Sequence, residues 1–152
     1  MLYYFAAQLP FIEWAKADGL IPGRVSMSRE DILSREIISA AIEVHRCTGP
    51  GMLESLYEQC LCVELGKRDI GFERQVRIPV NYKGCMINCG YRMDLLVDDL
   101  VVLELKAVGT LEKIHEAQLL TYLKLSGKRL GILMNFNVVL LRNGIKRVVN
   151  GL

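Results

Sequence analysis

Several common functional signatures are missing from this 152-residue sequence. It has no Gly-rich phosphate loop and no dinucleotide-binding fingerprint, so nothing in it supports a small-ligand protein of the nucleotide-binding type. No positive charge precedes its apolar start, Leu2 to Ala7, and Glu13, Lys16 and Asp18 interrupt the residues that follow. We therefore predict neither a signal peptide nor a membrane span, and we expect no membrane partner.

The five cysteines also form no recognisable motif. None of them belongs to a C-x-x-C pair, and free thiols without a secretory signal favour a reducing, cytoplasmic location. We interpret them as buried structural thiols. They are Cys47, Cys60, Cys62, Cys85 and Cys89.

Composition predicts one globular domain. The chain is 51% hydrophobic and 24% charged, which argues against disorder, and its length is sufficient for a sizeable core. The prolines and glycines between Pro10 and Gly23 would interrupt a long helix, whereas Ser28 can cap the N-terminus of a helix that follows it. We predict that residues 28–152 form the domain. Residues 1–27 are predicted to be an N-terminal extension that could be dispensable for the fold.

Charge is unevenly distributed, although the net charge is only +2. No acidic residue follows Ala117, and the basic residues there could form an edge that faces phosphates. They could equally be solvated side chains that protect edge strands. These residues are Lys124, Lys128, Arg129, Arg142, Lys146 and Arg147.

Hydrophobic periodicity predicts an α/β sandwich, with helices on both faces of a mixed sheet. The predicted order is α-α-β-β-β-α-β-β. Helices are predicted at about 28–46, 53–68 and 111–125. Strands are predicted at 74–82, 85–97 with a bend at Gly90, 100–108 in the centre of the sheet, 129–135, and 138–149 with a break at Asn143-Gly144.

Charged residues interrupt the two most apolar strands. Asp94 enters one Val/Leu-rich run, and Glu104 and Lys106 lie inside the next. Such residues are rarely placed there unless they are paired or bind a metal. Because side chains alternate along a strand, Glu104 and Lys106 share one face. If the two strands pair as a hairpin, two carboxylates and an ammonium meet, and such a set can hold Mg²⁺ together with several waters.

This arrangement depends on the register of the hairpin. For Asp94 to lie opposite Glu104, Val97 must lie opposite Val101, with residues 98–100 as a three-residue loop. A regular two-residue turn at residues 98–99 would place Asp94 on the other face. The proposed metal site therefore predicts the odd-length loop.

Further elements carry a family resemblance. Gly51, Glu54 and Tyr57 begin the second helix, and Gln118 and Tyr122 lie on the third helix. The stretch Phe72-Glu-Arg-Gln75 leads into the first predicted strand. Together with Asp94 and Glu104-x-Lys106, these elements over residues 29–150 resemble the GxxExxY family. That family is a branch of the PD-(D/E)XK nuclease superfamily. The resemblance implies a restriction-endonuclease-like fold.

The resemblance also implies residue roles. Asp94, Glu104 and the Leu105 backbone carbonyl would bind Mg²⁺ or Mn²⁺, and Lys106 would position or activate the attacking water. Glu54 would reach the edge of the metal site, whereas Gln118 and Tyr122 would lie near the substrate phosphate. Met93 stands where the motif name has proline. The implied function is a metal-dependent DNA nuclease; the alternative is a silent nuclease-like module that binds nucleic acid or a partner protein.

Simpler interpretations remain open for several of these residues. Glu104 and Lys106 could form a salt bridge on an exposed face, and Glu54 could only complement the helix dipole. Tyr57 and Tyr122 could be core aromatics with hydrogen-bonded hydroxyls. His45 and His115 lack ligand spacing, so we interpret them as packing or surface residues. No cysteine follows the predicted catalytic strand, which argues against the iron–sulfur cluster that some nucleases carry.

Overall fold

A computed structural model describes residues 27–151 of the chain, so the predicted extension, up to residue 26, lies outside the described residues. Helix α1 spans Arg29–Thr48 and begins where the Ser28 hydroxyl oxygen accepts the Asp31 N–H at 3.1 Å. Helix α2 spans Glu54–Lys67. Helix α3 spans Lys113–Ser126 and ends at Gly127, whose φ of 68° is a left-handed conformation that glycine adopts without strain.

The strands of the described residues are β1 Phe72–Arg77, β2 Val80–Tyr82, β3 Cys85–Ile87, β4 Arg92–Val97, β5 Val101–Lys106, β6 Leu130–Asn135 and β7 Ile145–Val149. A five-stranded mixed sheet forms the middle layer, in the order β1-β4-β5-β6-β7. Strands β5 and β6 are parallel and are connected through α3, and the other neighbouring pairs are antiparallel. A separate two-stranded sheet pairs β2 with β3.

Two hydrophobic cores cover the faces of this sheet. Side chains of α1 and α2 pack on one face against Leu95, Leu103 and Leu105. Side chains of α3 pack on the other face, where Gly131 lets the helix approach closely because an added Cβ would lie 2.8 Å from Leu119. The predicted α/β sandwich with a mixed sheet is therefore confirmed, and it is consistent with a restriction-endonuclease-like fold.

The predicted order of elements is wrong in detail, because two long predicted strands are each split. The first stops at Arg77, before Pro79, which cannot donate a ladder hydrogen bond, and β2 then pairs elsewhere. The second is interrupted over residues 88–91, where Gly90 has a φ of 79°. Five strands rather than three thus lie between α2 and α3. The last predicted strand begins later, because residues 141–144 form a 3₁₀ turn.

The predicted hairpin register is confirmed. Val97 pairs with Val101 and Leu95 pairs with Leu103, so residues 98–100 form the loop. Both Asp98 and Asp99 have positive φ values, 48° and 55°, a combination that aspartate tolerates better than most residues do. The odd loop length keeps Asp94 in phase with Glu104.

The cysteine prediction is largely wrong. Cys62 is buried, whereas Cys47, Cys85 and Cys89 are exposed, and all five thiols are free. The histidine prediction fits the structure: His45 Nε2 lies 2.8 Å from the Val138 carbonyl oxygen, and the Glu112 backbone N–H donates to His115 at the start of α3. Within residues 27–151, no helix is long and apolar enough to cross a membrane.

Three cations of the basic C-terminal segment form ion pairs, and two of them support the edge-strand interpretation. Lys146 pairs with Glu116, Arg147 pairs with Asp31, and Lys128 pairs with Asp99. Lys146 and Arg147 belong to β7, which is an edge of the sheet. Their charges are thus partly neutralised within the protein, as expected for side chains that protect a strand edge.

Candidate active site

Strand β5 positions Glu104 and Lys106 at its carboxyl end. Glu104 is only 4% exposed, and the Lys106 ammonium donates to its Oε1 at 2.9 Å. The intervening Leu105 faces the opposite core, as the alternation of side chains along a strand requires. The pair therefore joins a buried carboxylate to a half-buried ammonium, and the interpretation as a salt bridge on an exposed face is wrong.

Asp94 is held at the point where β4 separates from β5. The ladder between these strands ends at the pair of Leu95 and Leu103, so the next backbone groups of β5 lose a strand partner there. The Asp94 Oδ2 atom accepts the Leu105 N–H at 2.8 Å and replaces that partner. Asp94 is thus fixed beside Glu104 by a backbone hydrogen bond, as well as by its position in the sequence.

Burial and mutual repulsion make ionisation of these two carboxyls unfavourable. Desolvation is the main cause that raises the pKa of Glu104 to about 7, and the charge of Asp94 adds to it. Desolvation also raises the pKa of Asp94, although the Leu105 N–H and Lys106 act in the opposite direction. Although burial alone would lower the pKa of Lys106, the hydrogen bond to Glu104 and the neighbouring carboxylates raise it.

Helix α2 brings Glu54 close to this group. Glu54 is exposed in the first turn of the helix, and its charge contributes to the raised pKa values of Asp94, Glu104 and Lys106. Tyr57, three residues later, has a structural position. It is fully buried, stacks on Phe136 with ring centroids 4.4 Å apart, and donates from its hydroxyl to the Gly49 carbonyl at 2.7 Å. The core interpretation of Tyr57 is therefore correct.

Sequence reasoning missed a second layer formed by Glu58 and Gln75. Glu58 is 6% exposed and accepts from Arg74 at 2.9 Å and from the Gln75 Nε2 at 2.6 Å. Gln75 lies across from Asp94, between the paired positions on either side, and its φ of 55° is unusual for a residue with a side chain. Its Oε1 atom is buried without a hydrogen-bond partner among the described residues. Only the i, i+4 spacing of Glu54 and Glu58 could have indicated Glu58 from sequence.

Helix α3 supplies Gln118 and Tyr122 to the same region. The Gln118 side-chain amide donates to the Tyr122 hydroxyl at 2.6 Å. Desolvation is the main cause that raises the pKa of Tyr122, and the charge of Glu104 adds to it. The spacing of four residues thus does place both polar groups on one helical face beside the carboxylates. Only 4% of Tyr122 is exposed, so this side chain also belongs to the hydrophobic core.

Asn135 stabilises the loop that follows Lys106. It is 2% exposed and lies opposite Lys106 in the parallel ladder. Its side chain accepts the Val108 N–H at 3.1 Å and donates to the Val108 carbonyl at 2.8 Å. A buried asparagine at the end of an apolar strand was the available sequence signal, and the prediction did not use it.

The chemistry of this site fits a divalent cation. Glu104 Oε2 is buried and has no hydrogen-bond partner among the described residues. If all are ionised, the four carboxylates of Asp94, Glu104, Glu54 and Glu58 outnumber the two cations Lys106 and Arg74, which leaves a formal charge of −2. Hard oxygen donors suit Mg²⁺ or Mn²⁺. Within residues 27–151 no three His, Cys, Asp or Glu side chains form a ready-made metal cluster. Mg²⁺ is commonly held by one or two carboxylates and several waters.

Comparison with known families agrees with this geometry. A family model of the PD-(D/E)XK nuclease superfamily matches residues 31–148. The chain belongs to the PD-(D/E)XK nuclease superfamily. The match covers both core faces, the hairpin and α3, and thus includes every residue of the candidate site. Members of this superfamily typically use divalent metals and act on nucleic acid. No similar protein is found among curated proteins, and none among solved structures.

Proposed function

We propose that this domain is a Mg²⁺- or Mn²⁺-dependent phosphodiesterase that hydrolyses DNA, and that it belongs to the GxxExxY branch of the superfamily. The observation that carries the proposal is the pair of Glu104, which is buried, and Asp94, which is half-buried, with the Lys106 ammonium 2.9 Å from Glu104. Two neighbouring carboxylates withdrawn from solvent are costly unless a cation compensates them. A purely structural domain would gain nothing from retaining them.

Asp94 and Glu104 would hold the ion, with the Leu105 carbonyl as a third protein ligand. When bound, the ion would polarise the scissile phosphate and lower the pKa of a bound water. Asp94 is pre-oriented for this role by its bond to the Leu105 N–H, so little side-chain entropy is lost on binding. Glu54, at the exposed rim, would contact water in the outer shell of the ion.

Lys106 would orient the attacking water and stabilise the negative charge that develops on the phosphate. Its ion pair with Glu104 fixes the ammonium on the face that carries the carboxylates. The Tyr122 hydroxyl accepts a hydrogen bond from Gln118, so its own proton remains available for a phosphate oxygen. Gln118 and Tyr122 would therefore bind the phosphate rather than take part in proton transfer.

Cleavage assays on single- and double-stranded DNA with Mg²⁺ or Mn²⁺ test the proposal. Wild type should cleave DNA, Lys106→Met should lose about 10²-fold or more in rate, and EDTA should abolish cleavage. Lys67→Met is the matched control, because Lys67 is an exposed lysine at the end of α2 remote from Glu54, and its loss should leave the rate unchanged.

Two outcomes contradict the proposal. If Lys106→Met cleaves as fast as wild type, the assigned site is wrong. If wild type binds DNA but cleaves neither form with either metal, the chain is a silent nucleic-acid-binding module instead. A Mn²⁺-dependent rise in the melting temperature would show, independently of turnover, whether the carboxylate pair binds metal.

A further inference from the structure

The residues before Asp94 form a basic surface in which, among the described residues, only Arg74 is paired with a carboxylate, that of Glu58. From Arg74 to Met93 the sequence contains four cations and no carboxylate. Arg77 and Arg92 lie directly opposite each other in the β1–β4 ladder, and both are exposed. Neither has an ion-pair partner in the part of the chain that the structure describes. Directly opposed like charges destabilise an antiparallel pair, so fold stability does not explain this arrangement, whereas a bound polyanion would.

Aromatic residues accompany these cations on the segment that joins β1 to β4. The β2–β3 hairpin pairs only with itself, and Asn81 to Ile87 are all exposed. At its tip, the Lys83 ammonium lies 5.5 Å from the centre of the Tyr82 ring, which is 59% exposed. Alternation of cations and aromatic rings is typical of surfaces that follow a single strand and stack its bases.

A cleft beside Tyr91 connects this segment to the site. Tyr91 is 40% exposed and contacts the edge of Tyr122, with ring centroids 5.8 Å apart and planes at 62°. The cleft has a volume of about 310 Å³, at the lower end of the range of small-ligand pockets. It is lined by Tyr91, Ile114, Ala117, Gln118 and Thr121.

The cleft shares Gln118 with the candidate active site. Gln118 donates to the Tyr122 hydroxyl, and Tyr122 lies close enough to Glu104 for that charge to raise its pKa, so two side chains, Gln118 and Tyr122, connect the cleft to the carboxylates. Its walls combine one aromatic face with small apolar and amide groups. These features suit a flat base that has left its stack, because a base within a duplex has both faces covered by its neighbours.

We propose that this nuclease engages single-stranded DNA, with one unstacked base against Tyr91 in this cleft and the adjoining phosphates bound by Arg77 and Arg92. The inference rests on the proposed function for its choice of DNA. It adds the strandedness of the substrate and the surface that recognises it. Neither follows from the metal site.

Fluorescence anisotropy of the full chain in EDTA tests this inference without cleavage. The probes are a labelled single strand of about 12 nucleotides, a length that one small domain can cover, and the same strand in a duplex. Wild type should bind the single strand more tightly than the duplex. Tyr91→Leu, which keeps an apolar contact with Tyr122, should weaken single-strand binding by about tenfold, and Tyr91→Phe should restore it.

The two arginines have a separate signature in salt dependence. Arg77→Ser and Arg92→Ser should each weaken binding and reduce the slope of log K against log salt by about 0.7, the value expected for loss of one contact to a single-stranded phosphate. Arg35→Ser, an exposed arginine on α1, is the control and should change neither quantity. Circular dichroism and melting temperature check that each variant is folded.

Equal or tighter binding of the duplex overturns the inference, and so does a Tyr91→Leu variant that binds the single strand as wild type does. Failure of the proposed function would give a different combination of binding and cleavage results. Single-strand binding that depends on Tyr91, without cleavage in Mg²⁺ or Mn²⁺, supports the inference and rejects the enzyme. Duplex cleavage that is independent of Tyr91 rejects the inference and retains the enzyme.

Discussion

Removing the charge of Glu104 should stabilise the metal-free protein at neutral and alkaline pH. The pKa of Glu104 is about 7 in the folded protein, against an ordinary value of 4.5, because burial and Asp94 disfavour the ionised form. Below pH 4.5 the carboxyl is neutral in both the folded and the unfolded chain. As pH rises from 4.5 to 7, the unfolded chain releases its proton first, so the free energy of unfolding decreases.

The magnitude follows from the width of that interval. Each pH unit is worth about 1.4 kcal/mol, so ionisation of Glu104 costs the folded protein about 3 kcal/mol above pH 7. Glu104→Gln keeps the shape and stays neutral, and it should therefore be more stable than wild type by about 3 kcal/mol at pH 8 and equal to it near pH 4. For a chain of this size, that difference corresponds to roughly 6–12 °C in melting temperature.

Thermal unfolding in EDTA between pH 4 and pH 8 measures this difference, with Glu36→Gln, an exposed glutamate on α1, as the matched control. In Mn²⁺ at about 100 times Kd, wild type should regain about 3 kcal/mol and Glu104→Gln should gain much less. The reasoning is refuted if the pH profiles of wild type and Glu104→Gln are parallel, or if Glu104→Gln is the less stable protein at pH 8.

Three further predictions concern neighbouring positions. Asp94→Asn should weaken Mn²⁺ binding in calorimetry yet remain folded, whereas Asp94→Ala should also lose about 1–3 kcal/mol of stability, because the Leu105 N–H loses its acceptor. Gln75→Gly should lower the melting temperature, because the buried Glu58 carboxylate loses a donor at 2.6 Å, and that loss of about 1–3 kcal/mol exceeds the backbone strain of about 1 kcal/mol that glycine relieves; a higher melting temperature would contradict this. Gly144→Ala should fail to fold or lose several degrees in melting temperature, because its Cβ would lie 2.2 Å from a backbone carbonyl oxygen; wild-type stability would contradict this.

Helix α1, the central position of β5 and the hairpin between Asp94 and Glu104 follow from local information. The Ser28 cap, the apolar run of β5 and the parity of residues 98–100 are each visible in a short window of sequence. Parity is especially informative, because a slip of one residue would reverse the face of every side chain and expose a core strand. The sequence also identified the two carboxylates and the lysine, since charge within an apolar strand has few explanations.

The second layer of the site was decided by tertiary structure, whereas Pro79 and Gly90 mark in the sequence where the two long predicted strands split. No neighbouring residue in the sequence predicts the left-handed backbone of Gln75, because glutamine usually adopts extended or helical conformations. In the folded protein, the hydrogen bond from the Gln75 side chain to Glu58 helps to stabilise this conformation. Burial of Glu58 and the contact of Tyr91 with Tyr122 join residues 16 to 31 positions apart in the sequence. Contacts of this kind are fixed only when the layers pack, so the sequence by itself determined the reactive groups, and the packing of α2 and α3 against the sheet determined their surroundings.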